Sequence, residues 1–131
     1  NPSASSGSSA FRLMKMGRGF VGILGDTLPR EEHEKAAEDA LVYARKEMES
    51  GKWDMLILDE INNAVSLNLV SKEKVLDFLN LQATSYNLQA IILTGRDAPP
   101  EFLEKADLIT EMREVKHPYQ KGVKGKRGLE Y

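Results

Sequence analysis

The stretch Trp53-Asp54-Met55-Leu56-Ile57-Leu58-Asp59-Glu60 decides the fold. Met55 to Leu58 is apolar throughout, the pattern of a strand buried on both faces of a parallel sheet. The run ends in two carboxylates, Asp59 and Glu60, at the point where the backbone would leave the sheet. A second run, Gln89 to Leu93, is again nearly all apolar and ends in Thr94-Gly95-Arg96-Asp97.

Between and around these strands the spacing is helical. Ala37, Leu41, Ala44 and Met48 predict an amphipathic helix over Pro29 to Ser50, with Thr27 or Asp26 as its cap and Gly51 as its stop. Asn62 to Val70 reads as a connection with room for a helical turn. Ser71 caps a second helix whose buried stripe is Val75, Leu76, Leu79 and Ala83. Pro99 opens a short helix through Lys105, Asp107 to Met112 predicts a third strand, and Phe11 to Met16 a short leading one. Strand, helix, strand, helix, strand, with connections long enough for crossovers, implies an α/β fold with a parallel sheet.

At 131 residues the chain has the length of one domain, assigned to residues 11–131. Residues 1–10, NPSASSGSSA, have the composition of a flexible linker. The absence of cysteine excludes thiol catalysis, Cys-ligated metal sites and a disulfide framework, and suits a reduced cytoplasmic setting. No run approaches a membrane span of about 18 apolar residues, so no membrane association is expected. The net charge of −2 conceals a basic tail holding Lys116, Lys121, Lys124, Lys126 and Arg127. That tail suits a polyphosphate, although a solvated tail explains the same charge. Without spaced aromatics in an acidic chain, nucleic acid is not an expected partner.

In open α/β sheets ligands gather at the carboxyl ends of the strands, and both polar clusters stand at such ends. An apolar strand ending in Asp59-Glu60 has the form of a Walker B strand, whose acidic end holds Mg²⁺ beside a triphosphate. Each cluster also has a plainer reading: solvated carboxylates at a strand end, and a polar turn. Together they favour a phosphate site, because a carboxylate for a metal and a guanidinium for phosphate oxygens are complementary. Gly122 to Gly128, GVKGKRG, superficially resembles a Walker A loop but has Arg127 where Ser or Thr should follow Lys126. His33, in a highly charged turn, is expected to face solvent. His117 has no partner at zinc-ligand spacing, no hydrolytic triad is supported, and Trp53 is expected to anchor the edge of the core.

The runs MGRGFVGILGD, LILDEINNAV and ILTGRDAPPEFLEKADLITEMREVKHPYQKG, in that order, resemble the P-loop type of ATP:corrinoid adenosyltransferases across nearly everything from Phe11 to Tyr131. The resemblance implies a three-layer parallel sheet of RecA-like P-loop type, a homodimer, and transfer of the 5′-deoxyadenosyl group of ATP to the cobalt(I) of a corrinoid, with Mg²⁺ as cofactor and a reductase as a possible partner. Asp59 and Glu60 then look like the Mg²⁺-triphosphate carboxylates, with Glu60 also catalytic. Thr94, Gly95 and Arg96 look like the nucleotide-side turn. Phe20 resembles the aromatic residue of the loop over the corrinoid, where it displaces the lower cobalt ligand. Lys116 and His117 look like contacts from a segment closing over the site.

Two departures stand out. A tryptophan that some members carry two places after the phenylalanine is Gly22 here. Members also begin with a strand and a Gly-x-Gly-Lys-Gly-Lys-Thr/Ser loop that these residues lack, so the fold is expected to be incomplete, representing the C-terminal two-thirds of such an enzyme. Losing even one preorganised donor commonly costs about 10²–10³ in rate, so the polypeptide by itself is expected to be a poor catalyst. A non-catalytic corrinoid-binding or dimerisation module is the alternative. An ATP hydrolase using the same acidic strand is a third reading, disfavoured by the resemblance at Gly17 to Asp26.

Overall fold

A computed structural model describes residues 10–19, 21–23, 25–82, 88–117 and 122. Helix α1, Arg30–Glu49, begins after Pro29, whose extended φ of −57° and ψ of 145° set the entry; contrary to expectation neither Thr27 nor Asp26 caps it, because Pro29 itself occupies the cap position. Gly51 stops it with φ +65°, a left-handed geometry that costs other residues more. Strand β1, Met55–Leu58, follows, then helix α2, Ile61–Ser66. Helix α3, Lys72–Gln82, starts where the Ser71 hydroxyl accepts the Lys74 N–H at 3.3 Å, the expected cap. Strand β2, Ala90–Leu93, and helix α4, Pro100–Lys105, complete the order.

The strands pair in parallel, Met55 with Ala90 through Leu58 with Leu93. Gln89 N–H donates to Asp54 O at 2.7 Å and Thr94 N–H to Leu58 O at 3.2 Å, extending the ladder at both ends. Side chains alternate across the sheet, so Leu56, Leu58, Ile91 and Leu93 share one face. Against that face pack two clusters: Ala44, Met48, Phe78 and Leu88, and then Val65, Val70, Val75 and Phe102. Leu41 of α1 and Leu79 of α3 touch both clusters and make the core continuous. Trp53 packs at its edge, as expected, with its indole N–H donating to Glu47 Oε2 at 2.6 Å.

Four further expectations are corrected. Met55 and Ile57 are each 52% exposed and Ile92 is 39% exposed, so among the described residues the sheet is covered on one face. An unbroken apolar run sets strand propensity but cannot say which faces find partners. Residues 11–16 form no strand; Phe11 and Leu13 are exposed, and the segment is tied to α1 by Arg12 instead. The Arg12 guanidinium lies 5.1 Å over the Trp53 ring and pairs with Glu47 Oε1 at 3.2 Å. Residues 107–112 form no strand either, because nothing among the described residues offers them a ladder; Leu108 and Met112 are exposed. Finally, His33 is buried at 3% exposure, with Nε2 3.0 Å from Asp26 Oδ2. Its charged neighbours in sequence project from other faces of α1, since adjacent helical residues point about 100° apart.

Candidate functional site

The carboxyl ends of β1 and β2 lie side by side and are laced by one hydroxyl. Thr94 Oγ1 accepts the Glu60 N–H at 2.9 Å and donates to Asp59 Oδ1 at 2.6 Å. Thr94 O in turn accepts the Asn62 N–H at 3.2 Å. The chain can turn this sharply from β1 into α2 because Glu60 adopts the left-handed conformation, φ 56° and ψ 21°. Asp97, past the other tip, has φ 56° as well. Such backbone costs of order 1–3 kcal/mol and gathers at functional sites.

Gly95 is fixed by close approach. A Cβ there would stand 2.3 Å from Asn63 Oδ1 and 3.1 Å from Asn62 Cβ, and its φ is +120°. The same Asn63 Oδ1 accepts the Arg96 N–H at 2.8 Å, so the first turn of α2 holds the second tip in place. Asp59, Glu60 and Arg96 are all exposed, and they belong to the adjacent carboxyl ends of the two strands. Among the described residues no three acidic or histidine side chains converge on a metal position. A donor set of two carboxylates fits Mg²⁺ that arrives with a nucleotide, since this ion is commonly held by one or two carboxylates together with substrate phosphates.

Asn62 and Asn63 were not singled out by sequence reasoning. Asn62 is 6% exposed, and its side-chain Oδ1 has no donor among the described residues. The signal was available in the pair of amides directly after the acidic tip, whose side chains bond backbone readily. Of the other sequence-predicted residues, Lys116 and His117 are exposed in the irregular stretch after α4. Phe20 lies outside the described residues.

The glycine-bearing loop ahead of α1 is organised by one carboxylate. Asp26 Oδ2 accepts the Gly22 N–H at 2.8 Å, and Oδ1 accepts the Leu28 N–H at 3.0 Å. The Gly22 amide foremost, then that of Leu28, holds the Asp26 carboxyl below its ordinary range, against the opposite pull of burial; His33 adds to the lowering.

The family described as ATP:corrinoid adenosyltransferase BtuR/CobO/CobP matches residues 3–131. The chain belongs to the ATP:corrinoid adenosyltransferase family. Among its relatives, a corrinoid adenosyltransferase of Sinorhizobium sp is 33% identical over 116 residues, 88% of this chain and 52% of that protein. The corrinoid adenosyltransferase of Escherichia coli K12 is 33% identical over 111 residues, 85% of this chain and 55% of that protein. That of Salmonella typhimurium is 30% identical over the same length. This adenosyltransferase-family chain thus spans about half the length of the curated relatives it matches. No helix among its described residues is long and apolar enough to cross a membrane.

Proposed function

We propose that the protein transfers the 5′-deoxyadenosyl group of ATP to the cobalt(I) of a corrinoid, in adenosylcobalamin synthesis. The observation that carries the reading is the Thr94 hydroxyl joining Asp59 to the Glu60 backbone, which sets an acidic strand tip beside the Arg96 turn. Family membership supplies the reaction class.

In this reading Asp59 and Glu60 hold Mg²⁺, which when bound offsets the negative charge of the triphosphate. Thr94 fixes the Asp59 carboxylate, Gly95 keeps the turn close to α2, and the Arg96 guanidinium receives phosphate oxygens. The cobalt(I) electron pair attacks C5′ of the ribose, the C5′–O bond breaks, and triphosphate leaves with that bond's electrons. No side chain acts as nucleophile, so the chain's task is alignment and charge stabilisation. Phe20 is assigned to the corrin face, and Lys116 and His117 to a segment closing over the site. A homodimer, a reductase partner and a cytoplasmic location complete the reading.

We assign residues 11–131 to one domain of three-layer RecA-like P-loop type, preceded by a linker. The parallel pairing of β1 with β2 and the apolar outer face of Met55, Ile57 and Ile92 support that architecture. The 131 residues contain no Gly-x-x-x-x-Gly-Lys-Ser/Thr loop. On their own they are therefore expected to bind MgATP weakly and turn over slowly, and joining a phosphate-loop segment should restore both. The test is formation of the light-sensitive cobalt–carbon bond from MgATP and borohydride-reduced corrinoid, followed by absorbance. Fast turnover by the 131 residues alone refutes the impairment. Corrinoid binding indifferent to MgATP, with no rescue, favours the non-catalytic module instead.

A further inference from the structure

We propose that Asp26 and His33 form a latch that fixes the Gly22–Leu28 loop in the conformation that receives the corrinoid. The inference rests on the assignment proposed above of Phe20, just ahead of this loop, to the corrin face, and it adds two positioning residues outside the strand tips.

The Asp26 side chain is 8% exposed and that of His33 is 2% exposed, so the pair is buried beside an exposed glycine-bearing loop. A carboxylate only accepts hydrogen bonds, so His33 Nε2 carries the proton it shares with Oδ2. Asp26 therefore receives three donors from three places: Gly22 inside the loop, Leu28 at its exit, and His33 in the first turns of α1. The Asp26 N–H also donates to Ile23 O at 3.1 Å, closing the turn on itself. Stability alone does not demand a polar pair at this depth, since an apolar pair of similar volume is commonly as stable. What the pair adds is direction: it ties the backbone at Gly22 and Leu28 to a rigid helix. Arg18, Ile23, Asp26, Thr27 and Leu28 are among the residues that line an open hollow here. A positioned loop binds without the entropy cost of ordering itself, so losing the latch should weaken whatever the loop receives.

The experiment compares the 131-residue chain with its Asp26→Ala and His33→Gln variants. Amide hydrogen exchange reads the latch, with the Ile92 amide, which faces β1 in the alternating parallel ladder, as an internal measure of global stability. Titration with cob(II)alamin, with and without MgATP, reads its consequence. In Asp26→Ala, exchange at Gly22 and Leu28 should accelerate about tenfold or more beyond any acceleration at Ile92, which reads the global loss of the buried pair. Cob(II)alamin affinity should fall about tenfold, with MgATP affinity unmoved. His33→Gln keeps an N–H donor and should retain most of both. Unchanged exchange at Gly22 and Leu28 overturns the latch. Accelerated exchange with unaltered cob(II)alamin affinity overturns its link to the corrinoid. A parent chain that binds no cob(II)alamin in either condition overturns the corrinoid assignment of the latch, whereas the proposed function falls only if joining a phosphate-loop segment also fails to restore adenosylation.

Discussion

Thr94 donates its hydroxyl proton to Asp59 across the gap between two parallel strands, at 2.6 Å, while accepting the amide of Glu60. A β-branched residue at a strand end is ordinary; here its oxygen is the joint between the tips. Thr94→Val keeps the shape and removes both bonds. Because Glu60 is exposed and water can replace the lost partner, the chain should be destabilised by only about 0.5–1.5 kcal/mol. If the strand tips hold MgATP, its affinity should fall about tenfold, whereas Thr94→Ser retains it. Urea unfolding and calorimetric titration check the two parts separately.

Gly95→Ala should be costly for two independent reasons. Its φ of +120° is a conformation that L residues rarely adopt, and the new methyl would meet Asn63 Oδ1 at 2.3 Å. A loss of about 1–3 kcal/mol is expected from the backbone alone. Adding Asn63→Ala relieves the collision but not the backbone, and removes the bond to the Arg96 N–H. A double-mutant cycle by urea unfolding should therefore show a coupling energy beyond additivity, with stability only partly recovered.

Met48 is 1% exposed and packs with Phe78 and Leu88 beneath the sheet. Met48→Ala should cost about 2–5 kcal/mol, the range for emptying a buried site. Val42 lies on the same helix but is 69% exposed, and Val42→Ala should stay within about 0.5 kcal/mol. Equal losses at the two positions would contradict the assignment of the buried face of α1.

Acid should release the loop and the N-terminal segment. The pKa of Asp26 is lowered chiefly by the Gly22 amide, and that of Glu47 chiefly by the Trp53 indole N–H, with Arg12 and Lys52 adding to the latter. A carboxyl with a depressed folded pKa contributes stability that is complete above its unfolded value, about pH 4, and is lost as pH falls through the folded value. Thermal unfolding between about pH 5 and 2 should therefore show a falling midpoint. In Asp26→Asn and Glu47→Gln the fall should be shallower, and Trp53 fluorescence should lose its acid response in the Glu47 variant alone.

Much of the architecture was legible because it depends on local rules. The apolar runs gave β1 and β2 and their parallel pairing, and Gly51, Ser71 and Pro99 marked helix boundaries through backbone restrictions that hold anywhere. The apolar residues at 108, 109 and 112 resembled a strand equally well. They form none, because a strand exists only where another chain segment offers it hydrogen bonds. Phe78 was missed in the stripe of α3, although it is buried at 3% and central to the first cluster.

By itself the sequence determined the α/β class, the placement of acidic and basic groups at two strand ends, and the family resemblance; each follows from short-range order along the chain. Only the tertiary structure decided that Thr94 joins Asp59 to Glu60, that Asn63 seats Gly95 and Arg96, and that His33 lies buried on Asp26. Those pairs are separated by 33 to 35 residues at the tips and by 7 at the loop. The physical reason is that hydrogen bonds are directional over about 3 Å. Which donor meets which acceptor is therefore set by how the helices pack and by the register of the two strands, which periodicity alone does not encode.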